Sequence, residues 1–250
     1  VPLDRTLAQV SLRLPASALQ AAARIPGVYS VQIAPTDGGL RGEMSSQVSA
    51  NNLAANVALP GYREWLAGLG LDGTGVVIAN VDAGIRDTHR DLAGRMLPCS
   101  GSTCGRAWMS DHGTHTAGIM AGDGSSGKTD SRGFLRGLGM APGARLIAQV
   151  FALAYRNDSP DMRLLMAESY RNGASISGNS WGPSSTPQGY DVYAMQVDIG
   201  VRDADPVAPG NQPLTYVLSI MNGKGGTSTQ GSPDEAKNIL TVGSTYMQDD

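Results

Sequence analysis

The chain has 250 residues, of which 41% are hydrophobic and 16% charged, so it can bury the core of one large domain or of a domain with a small companion. Its net charge of −3 gives no sign of a nucleic-acid or membrane partner. No apolar run approaches the length of a membrane span. The chain opens VPLDRTLAQV, without an initiator Met or a secretory signal, which is typical of a processed product.

The first part of the chain predicts a compact β-α-β unit. LAQVSLRLP (7–15) and VYSVQIAP (28–35) alternate apolar and polar residues as strands do, and ASALQAAARIPG (16–27) has the composition of a helix that stops at Pro-Gly. The segment that follows, TDGGLRGEMSSQVSANN (36–52), is small and polar, as linkers are. We therefore divide the chain into residues 1–45 and 46–250.

The second part alternates short apolar runs with helical segments. The apolar runs are VVIANVD (76–82), RLIAQVF (145–151), SISGNSWG (175–182), YVLSIMN (216–222) and NILTVGS (238–244). DMRLLMAESYRNG (161–173) and YDVYAMQVDIGVRDAD (190–205) have helical patterns. This alternation predicts an α/β fold in which a mostly parallel central sheet is covered by helices on both faces. In such folds, functional groups gather beyond the carboxyl ends of the strands.

Polar residues stand at the ends of three of these runs. Asp82 closes the first run, Ser180-Trp181-Gly182 closes the third, and Asn222 closes the fourth. Because burying a lone carboxylate is costly, Asp82 needs a partner. His112 begins the helix-like segment HGTHTAGIMAG, whose small residues allow close packing. An aspartate that orients a histidine base, together with an amide that stabilises an oxyanion, is what a Ser-His-Asp hydrolase requires.

These segments resemble the subtilisin-like serine proteases, or subtilases, from about residue 48 to 250. GTGVVIANVDAGI resembles the aspartate segment of that family, DHGTHTAG its histidine segment, SGNSWG its substrate-binding strand and YVLSIMNG its oxyanion strand. The resemblance implies a secreted endopeptidase with a three-layer subtilisin-like fold. Asp82 is then the triad aspartate, His112 the base and Asn222 the oxyanion donor, while Ser180, Trp181 and Gly182 contact an extended polypeptide substrate.

The residues before this domain resemble the second half of a subtilase propeptide. The resemblance implies that residues 1–45 assist folding and then block the cleft of a zymogen that matures by autoproteolysis. The chemistry itself needs no cofactor. Structural calcium is implied by the family, with Asp91 at a position that ligates calcium in some members; the alternative for Asp91 is a surface salt bridge.

The nucleophile of the family, a serine in a GTSMA-like motif after the last predicted strand, is not found in this sequence. Ser228 lies in GGTSTQGSP (225–233), before that strand, and runs into Gln-Gly-Ser-Pro, which does not continue as a packed helix. We expect the serine on a companion C-terminal chain. The alternatives are a truncated enzyme and an inactive homologue that binds extended peptides without cutting them.

The two cysteines, Cys99 and Cys104, predict a small loop disulfide in an oxidising compartment, with unpaired thiols as the alternative. From another functional class, a zinc-binding structural module could use both cysteines with His112 and His115, although the strand-end Asp and Asn residues would then be unexplained.

Smaller expectations concern three polar residues and one alanine near the aspartate and histidine segments. We expect His115 to be a buried structural histidine, His89 to lie in an exposed loop and Asp111 to cap the histidine helix. Ala83 stands where the family usually has Thr or Ser, so the sequence lacks one hydroxyl group near Asp82.

Overall fold

The computed structural model describes residues 12–28, 31, 42–105, 107–156, 159–182, 189–220 and 231–243. The chain divides into two compact units, Val1–Leu40 and Arg41–Asp250. In the first unit, a 3-10 turn at Ala16–Ala18 leads into helix α1, Leu19–Ala23, within the predicted helical segment. The two strands predicted beside it lie mostly outside the described residues.

The second unit begins inside the segment that the sequence predicts to be a linker. Its first elements are α2 (Glu43–Ser49), β1 (Leu53–Ala54), β2 (Val57–Ala58) and α3 (Tyr62–Leu69). The carboxylate of Glu43 is buried and accepts backbone N–H bonds from Tyr62 at 2.6 Å and Leu135 at 2.7 Å. Polar composition suggested an exposed connection, but this carboxylate joins α2 to the start of α3.

A five-stranded parallel sheet forms the centre of the second unit. The remaining strands are β3 (Val77–Asp82), β4 (Arg145–Val150), β5 (Tyr155–Arg156), β6 (Ser159–Pro160), β7 (Ile176–Asn179), β8 (Thr215–Ser219) and β9 (Leu240–Val242). The sheet has the order β4-β3-β7-β8-β9, and β5 and β6 form a separate antiparallel pair. Each strand of the sheet lies within or beside a predicted run, so those predictions are confirmed.

Three further helices cover the sheet, and each is preceded by a residue whose side chain caps it. They are α4 (Asp111–Ala121), α5 (Met162–Arg171) and α6 (Val192–Arg202). Asp161 accepts a hydrogen bond from Leu164 N–H at 2.9 Å, and Asp191 accepts one from Ala194 N–H at 3.0 Å. Such caps satisfy backbone donors that the first turn leaves without a partner.

Two hydrophobic clusters lie on the two faces of the sheet. Ala79 and Val81 of β3 belong to the cluster that includes buried residues of α5 and α6. Ile78 belongs to the cluster that includes Ala117 and Ala121 of α4. Because side chains alternate along a strand, Asn80 and Asp82 share the face of Ile78 and are directed towards α4. The predicted three-layer arrangement is confirmed.

The outer edge of β4 is covered by the segment between β3 and α4. Leu97 N–H donates to Leu146 O at 2.7 Å, and Val150 N–H donates to Thr103 O at 2.7 Å. Cys99 and Cys104 form the predicted disulfide within this segment.

Helix α5 holds the same disulfide loop through a buried carboxylate. Glu168 accepts the backbone N–H of Ser102 and of Thr103, both at 2.8 Å, and also the two hydroxyl groups of these residues. Gly101 lies so close that an added Cβ atom would be 2.4 Å from the Glu168 carboxyl group. The loop is therefore fixed both by the disulfide and by this carboxylate.

Candidate active site

Asp82, the last residue of β3, and His112, in the first turn of α4, form a hydrogen-bonded pair. The Nδ1 atom of His112 lies 2.8 Å from Oδ2 and 2.9 Å from Oδ1 of Asp82. The carboxylate is buried, whereas 59% of the His112 side chain is exposed. Because Nδ1 faces the carboxylate, Nε2 is the ring nitrogen that remains for a reactant. This is the geometry of a base that is oriented by an acid.

Two glycines allow this helix to approach the strand so closely. A Cβ atom on Gly113 would lie 2.1 Å from the carbonyl oxygen of Gly84 and 3.0 Å from Oδ1 of Asp82. Gly84 itself has φ +109, a conformation that L side chains rarely adopt, and an added Cβ atom would meet the backbone of Trp108. The pairing of Asp82 with His112 thus depends on backbone contact between α4 and the turn after β3.

The cap of α4 differs from the prediction. Ser110, in extended conformation with φ −133, is the N-cap residue, and its hydroxyl accepts the N–H of Gly113 at 3.3 Å. Asp111 is the first helical residue, so its side chain is not placed to cap. It lies instead 3.7 Å from the guanidinium of Arg86, in a pair in which both side chains are exposed.

Two residues that the sequence analysis missed complete the surroundings of Asp82. The hydroxyl of Thr116 lies 3.3 Å from Oδ2 of Asp82, and Asn80 contacts both Thr116 and the backbone of α4. The signal was present in the sequence: Asn80 is a polar residue in an apolar strand, on the same face as Asp82, and Thr116 follows His112 by one helical turn.

The expected substrate-binding residues follow the middle strand of the sheet. Val81 pairs with Asn179, so Ser180, Trp181 and Gly182 come at the same end of the sheet as Asp82. The side chain of Trp181 is buried, stacks on Phe151 with ring centroids 5.0 Å apart and donates its Nε1–H to Asn179 Oδ1 at 3.1 Å. Because this side chain is buried, a bound peptide would contact the backbone of Trp181 rather than its indole ring. Asn222 and Ser228 lie outside the described residues.

His115 is exposed, so the prediction of a buried histidine is wrong. The buried side of α4 consists of Gly113, Thr116, Ala117 and Ala121. His115 follows His112 by three residues and lies on the exposed side with it. His89 is exposed, as predicted, and its Nδ1 accepts the N–H of Asp91 at 3.3 Å.

The disulfide takes away the two cysteine ligands that the zinc hypothesis requires. Cys99 and Cys104 are bonded to each other, and zinc binds thiolates rather than disulfide sulfurs. Over the part of the chain that the structure describes, no three His, Cys, Asp or Glu side chains group as metal ligands would.

Asp91 is buried and accepts the N–H of Ser126 at 2.9 Å. A calcium ligand at Asp91 stays a prediction.

No helix in the described ranges combines the length and the apolar composition needed to cross a membrane.

A family model described as "Subtilase family" matches residues 73–250. The matched range includes β3 through β9 and therefore both Asp82 and His112. A match over more than half of the chain shows the family and confirms the predicted resemblance.

Solved structures of three proteins are similar to this chain. The MycP3 protease from the type VII (ESX-3) secretion system has a TM-score of 0.50 and 16% identity over 87% of this chain and 61% of its own. Sphericase has a TM-score of 0.48 and 19% identity over 80% of this chain and 61% of its own. The serine protease of Aeromonas sobria, in complex with a chaperone, has a TM-score of 0.42 and 23% identity over 62% and 26%. This chain therefore spans less than two thirds of each, and the likeness to MycP3 bears on the fold alone.

Proposed function

Because this chain belongs to the subtilase family, we propose that it is the aspartate- and histidine-bearing part of a secreted serine endopeptidase. The observation that carries the proposal is the short contact between the buried carboxylate of Asp82 and the exposed imidazole of His112. A purely structural histidine has no need to expose more than half of its side chain beside a buried carboxylate at the end of a parallel strand. The activity follows from the chemistry of that pair.

In the proposed reaction, Nε2 of His112 accepts the proton of a serine hydroxyl as its oxygen attacks the scissile carbonyl carbon. Asp82 holds the imidazole with its proton on Nδ1 and stabilises the imidazolium that forms. The imidazolium then gives its proton to the leaving amine as the peptide bond breaks. A water molecule hydrolyses the acyl-enzyme by the same proton transfers in reverse, which releases the acid product and restores the serine.

The serine is proposed to come from a companion C-terminal chain or segment. What supports this is the state of His112: within the described residues, its hydrogen-bond partners are the two oxygens of Asp82, and more than half of its side chain is exposed. Asp82 thus holds the His112 ring at Nδ1, and much of the ring is exposed. A nucleophile contributed from elsewhere needs this kind of access to its base.

The substrate is proposed to be an extended polypeptide that binds as an added strand at residues 180–182, with Asn222 donating to the oxyanion. The proposal is supported by topology. β7 ends at Asn179 and β8 ends at Ser219, so residues 180–182 and Asn222 follow neighbouring parallel strands in the chain, at the carboxyl end of the sheet, where Asp82 also lies. Backbone pairing of this kind gives affinity without demanding one sequence.

Residues 1–45 are proposed to be a propeptide-like segment that inhibits the zymogen until autoproteolysis. The secreted location is supported by the Cys99–Cys104 disulfide, since disulfides persist in oxidising compartments. Calcium bound near the buried Asp91 carboxylate is proposed as a structural ion, and removing it with a chelator is expected to lower the unfolding temperature without altering the active-site residues.

The decisive experiment treats the full-length protein, purified from its natural source or expressed whole, with a fluorophosphonate probe and measures intact masses under denaturing conditions. We expect a polypeptide or segment outside these 250 residues to carry the probe. His112→Ala should abolish labelling, and His89→Ala, at an exposed loop histidine, should not. Unlabelled protein that also fails to cleave denatured substrates would contradict the proposal and leave an inactive homologue that binds peptides.

A further inference from the structure

We propose that Asn80 and Thr116 are positioning residues that hold Asp82 in the orientation the reaction needs. This inference rests on the proposed function and extends it to two residues that do not touch the substrate. Ala83, the residue directly after Asp82, has no hydroxyl group to offer the carboxylate. In the structure, a hydroxyl reaches that carboxylate from the helix instead, at 3.3 Å from Thr116 Oγ1 to Asp82 Oδ2.

Asn80 connects β3 to α4 through its amide group. It is buried, with 1% of its surface exposed, in a strand whose other side chains before Asp82 are apolar. Its Nδ2 lies 2.8 Å from Gly113 O and 3.2 Å from Thr116 Oγ1. The amide nitrogen carries two protons, which fit these two acceptors. The contact with a carbonyl oxygen fixes which way the amide faces, since a carbonyl only accepts.

The hydroxyl of Thr116 carries one proton and has three acceptors within reach. They are Gly113 O at 3.1 Å, Asn80 Oδ1 at 3.3 Å and Asp82 Oδ2 at 3.3 Å. Gly113 O already receives a proton from the amide, and Asp82 is the charged acceptor, which forms the stronger hydrogen bond. We therefore assign a relay in which Asn80 donates to Thr116 and Thr116 donates to Asp82.

The relay gives each oxygen of Asp82 its own fixed donor besides His112. Oδ1 accepts the N–H of Ala83 at 2.7 Å, and Oδ2 accepts the hydroxyl of Thr116. With both oxygens held, the carboxylate keeps its plane against Nδ1 of His112. Among the described residues, loss of the hydroxyl leaves Oδ2 with the imidazole as its donor, so the carboxylate is held less firmly against rotation about its Cβ–Cγ bond.

The test compares Thr116→Val with Thr116→Ser in the full-length enzyme. Valine keeps the shape and removes the hydroxyl, whereas serine keeps the hydroxyl. We expect Thr116→Val to lower kcat by roughly tenfold with KM within about twofold, because the lost interaction orients the base rather than binding substrate. Thr116→Ser should stay within about threefold of the wild type in kcat. Thr129→Val, at an exposed threonine, is the control for the side-chain change itself.

A second readout does not depend on turnover. The proton shared between His112 Nδ1 and Asp82 is followed by its low-field NMR resonance, which should move in Thr116→Val and in Asn80→Leu but not in Thr116→Ser. Unchanged kcat and unchanged resonance in Thr116→Val would overturn the inference. If the wild type neither cleaves peptides nor reacts with the probe, the proposed function fails, while the resonance comparison still decides whether the relay exists.

Discussion

The carbonyl oxygen of Gly84 lies 2.1 Å from the point that a Cβ atom on Gly113 would occupy. This close approach brings the first turn of α4 against the turn after β3. Because the atom in the way belongs to the backbone, it cannot swing aside as a flexible side chain would. Gly113→Ala should therefore push the helix away from Asp82, lower the unfolding free energy by about 1–3 kcal/mol and reduce activity strongly.

Gly118 in the same helix is the matched control. An added Cβ atom there meets nothing within 4 Å. Gly118→Ala should raise the unfolding free energy by roughly 0.5–1 kcal/mol, since alanine favours the helix over glycine. Urea unfolding of both variants checks the pair of predictions. Equal effects of the same sign would show that the space around Gly113 does not control the site.

The buried carboxylate of Glu168 predicts a pH dependence of stability. Burial raises the pKa of Glu168, but the hydrogen bonds from Thr103 and Ser102 together hold this pKa below its ordinary value. With the folded-state pKa depressed, the stabilising contribution is complete above the ordinary glutamate pKa of 4.5 and is lost as pH falls through the folded-state value.

Glu168→Gln should therefore be less stable than the wild type at neutral pH, and the difference should shrink as the solution is made acidic. Glu64→Gln, at an exposed position of α3, serves as the control and should follow the wild type at every pH. Unfolding midpoints measured from pH 7 to pH 3 test this. A gap between Glu168→Gln and wild type that stays constant over that range would refute the assigned role.

The ion pair between Asp198 and Lys237 ties α6 to the segment before β9. Asp198 is buried and accepts Lys237 Nζ at 2.8 Å, Tyr190 Oη at 2.7 Å and Asn238 N–H at 2.8 Å. Removing the cation leaves a buried carboxylate with one fewer donor. Lys237→Met should thus lower the urea midpoint, and Lys128→Met, at an exposed lysine, should leave it where it is. A Lys237→Met midpoint identical to that of the wild type would mean that the Lys237 ammonium group does not contribute to stability.

The Cys99–Cys104 bridge closes a loop with a sequence separation of only 5. From the chain-entropy relation, replacing both cysteines by serine should cost about 2 kcal/mol of unfolding free energy. Because Glu168 also holds the loop, the variant should keep the secondary structure of the native protein, as judged by circular dichroism. A thiol reductant should shift the wild type by the same amount and leave the variant unaffected; loss of structure in the variant would disagree with this.

The main elements of the site follow from local features of the sequence. Asp82 could be predicted to need a partner because it ends an apolar strand, and His112 could be placed at a helix start because small residues follow it. Both inferences depend on a few neighbouring residues, and topology then brings strand ends together. That Asp82 pairs with His112 in particular was implied by the resemblance of GTGVVIANVDAGI and DHGTHTAG to subtilase segments.

Other features depend on the relative orientation of helices and strands, which local sequence patterns do not specify. The exposure of His115 is set by the rotation of α4, whose glycine and alanine side faces β3. Asn80 was counted as part of an apolar run, although its amide links two elements. The contacts of Glu168 with the disulfide loop span more than 60 residues of sequence, so neither end indicates the other.

The hydrogen bonds along the outer edge of β4 affect which other chains can pair with the sheet. A bare outer strand offers a row of N–H and C=O groups to which any extended chain can attach, including another copy during folding. Here the backbone of Leu146 and Val150 is already occupied by Leu97 and Thr103. A protein that is proposed to receive foreign peptides as added strands thus keeps the β4 edge of its sheet closed to them.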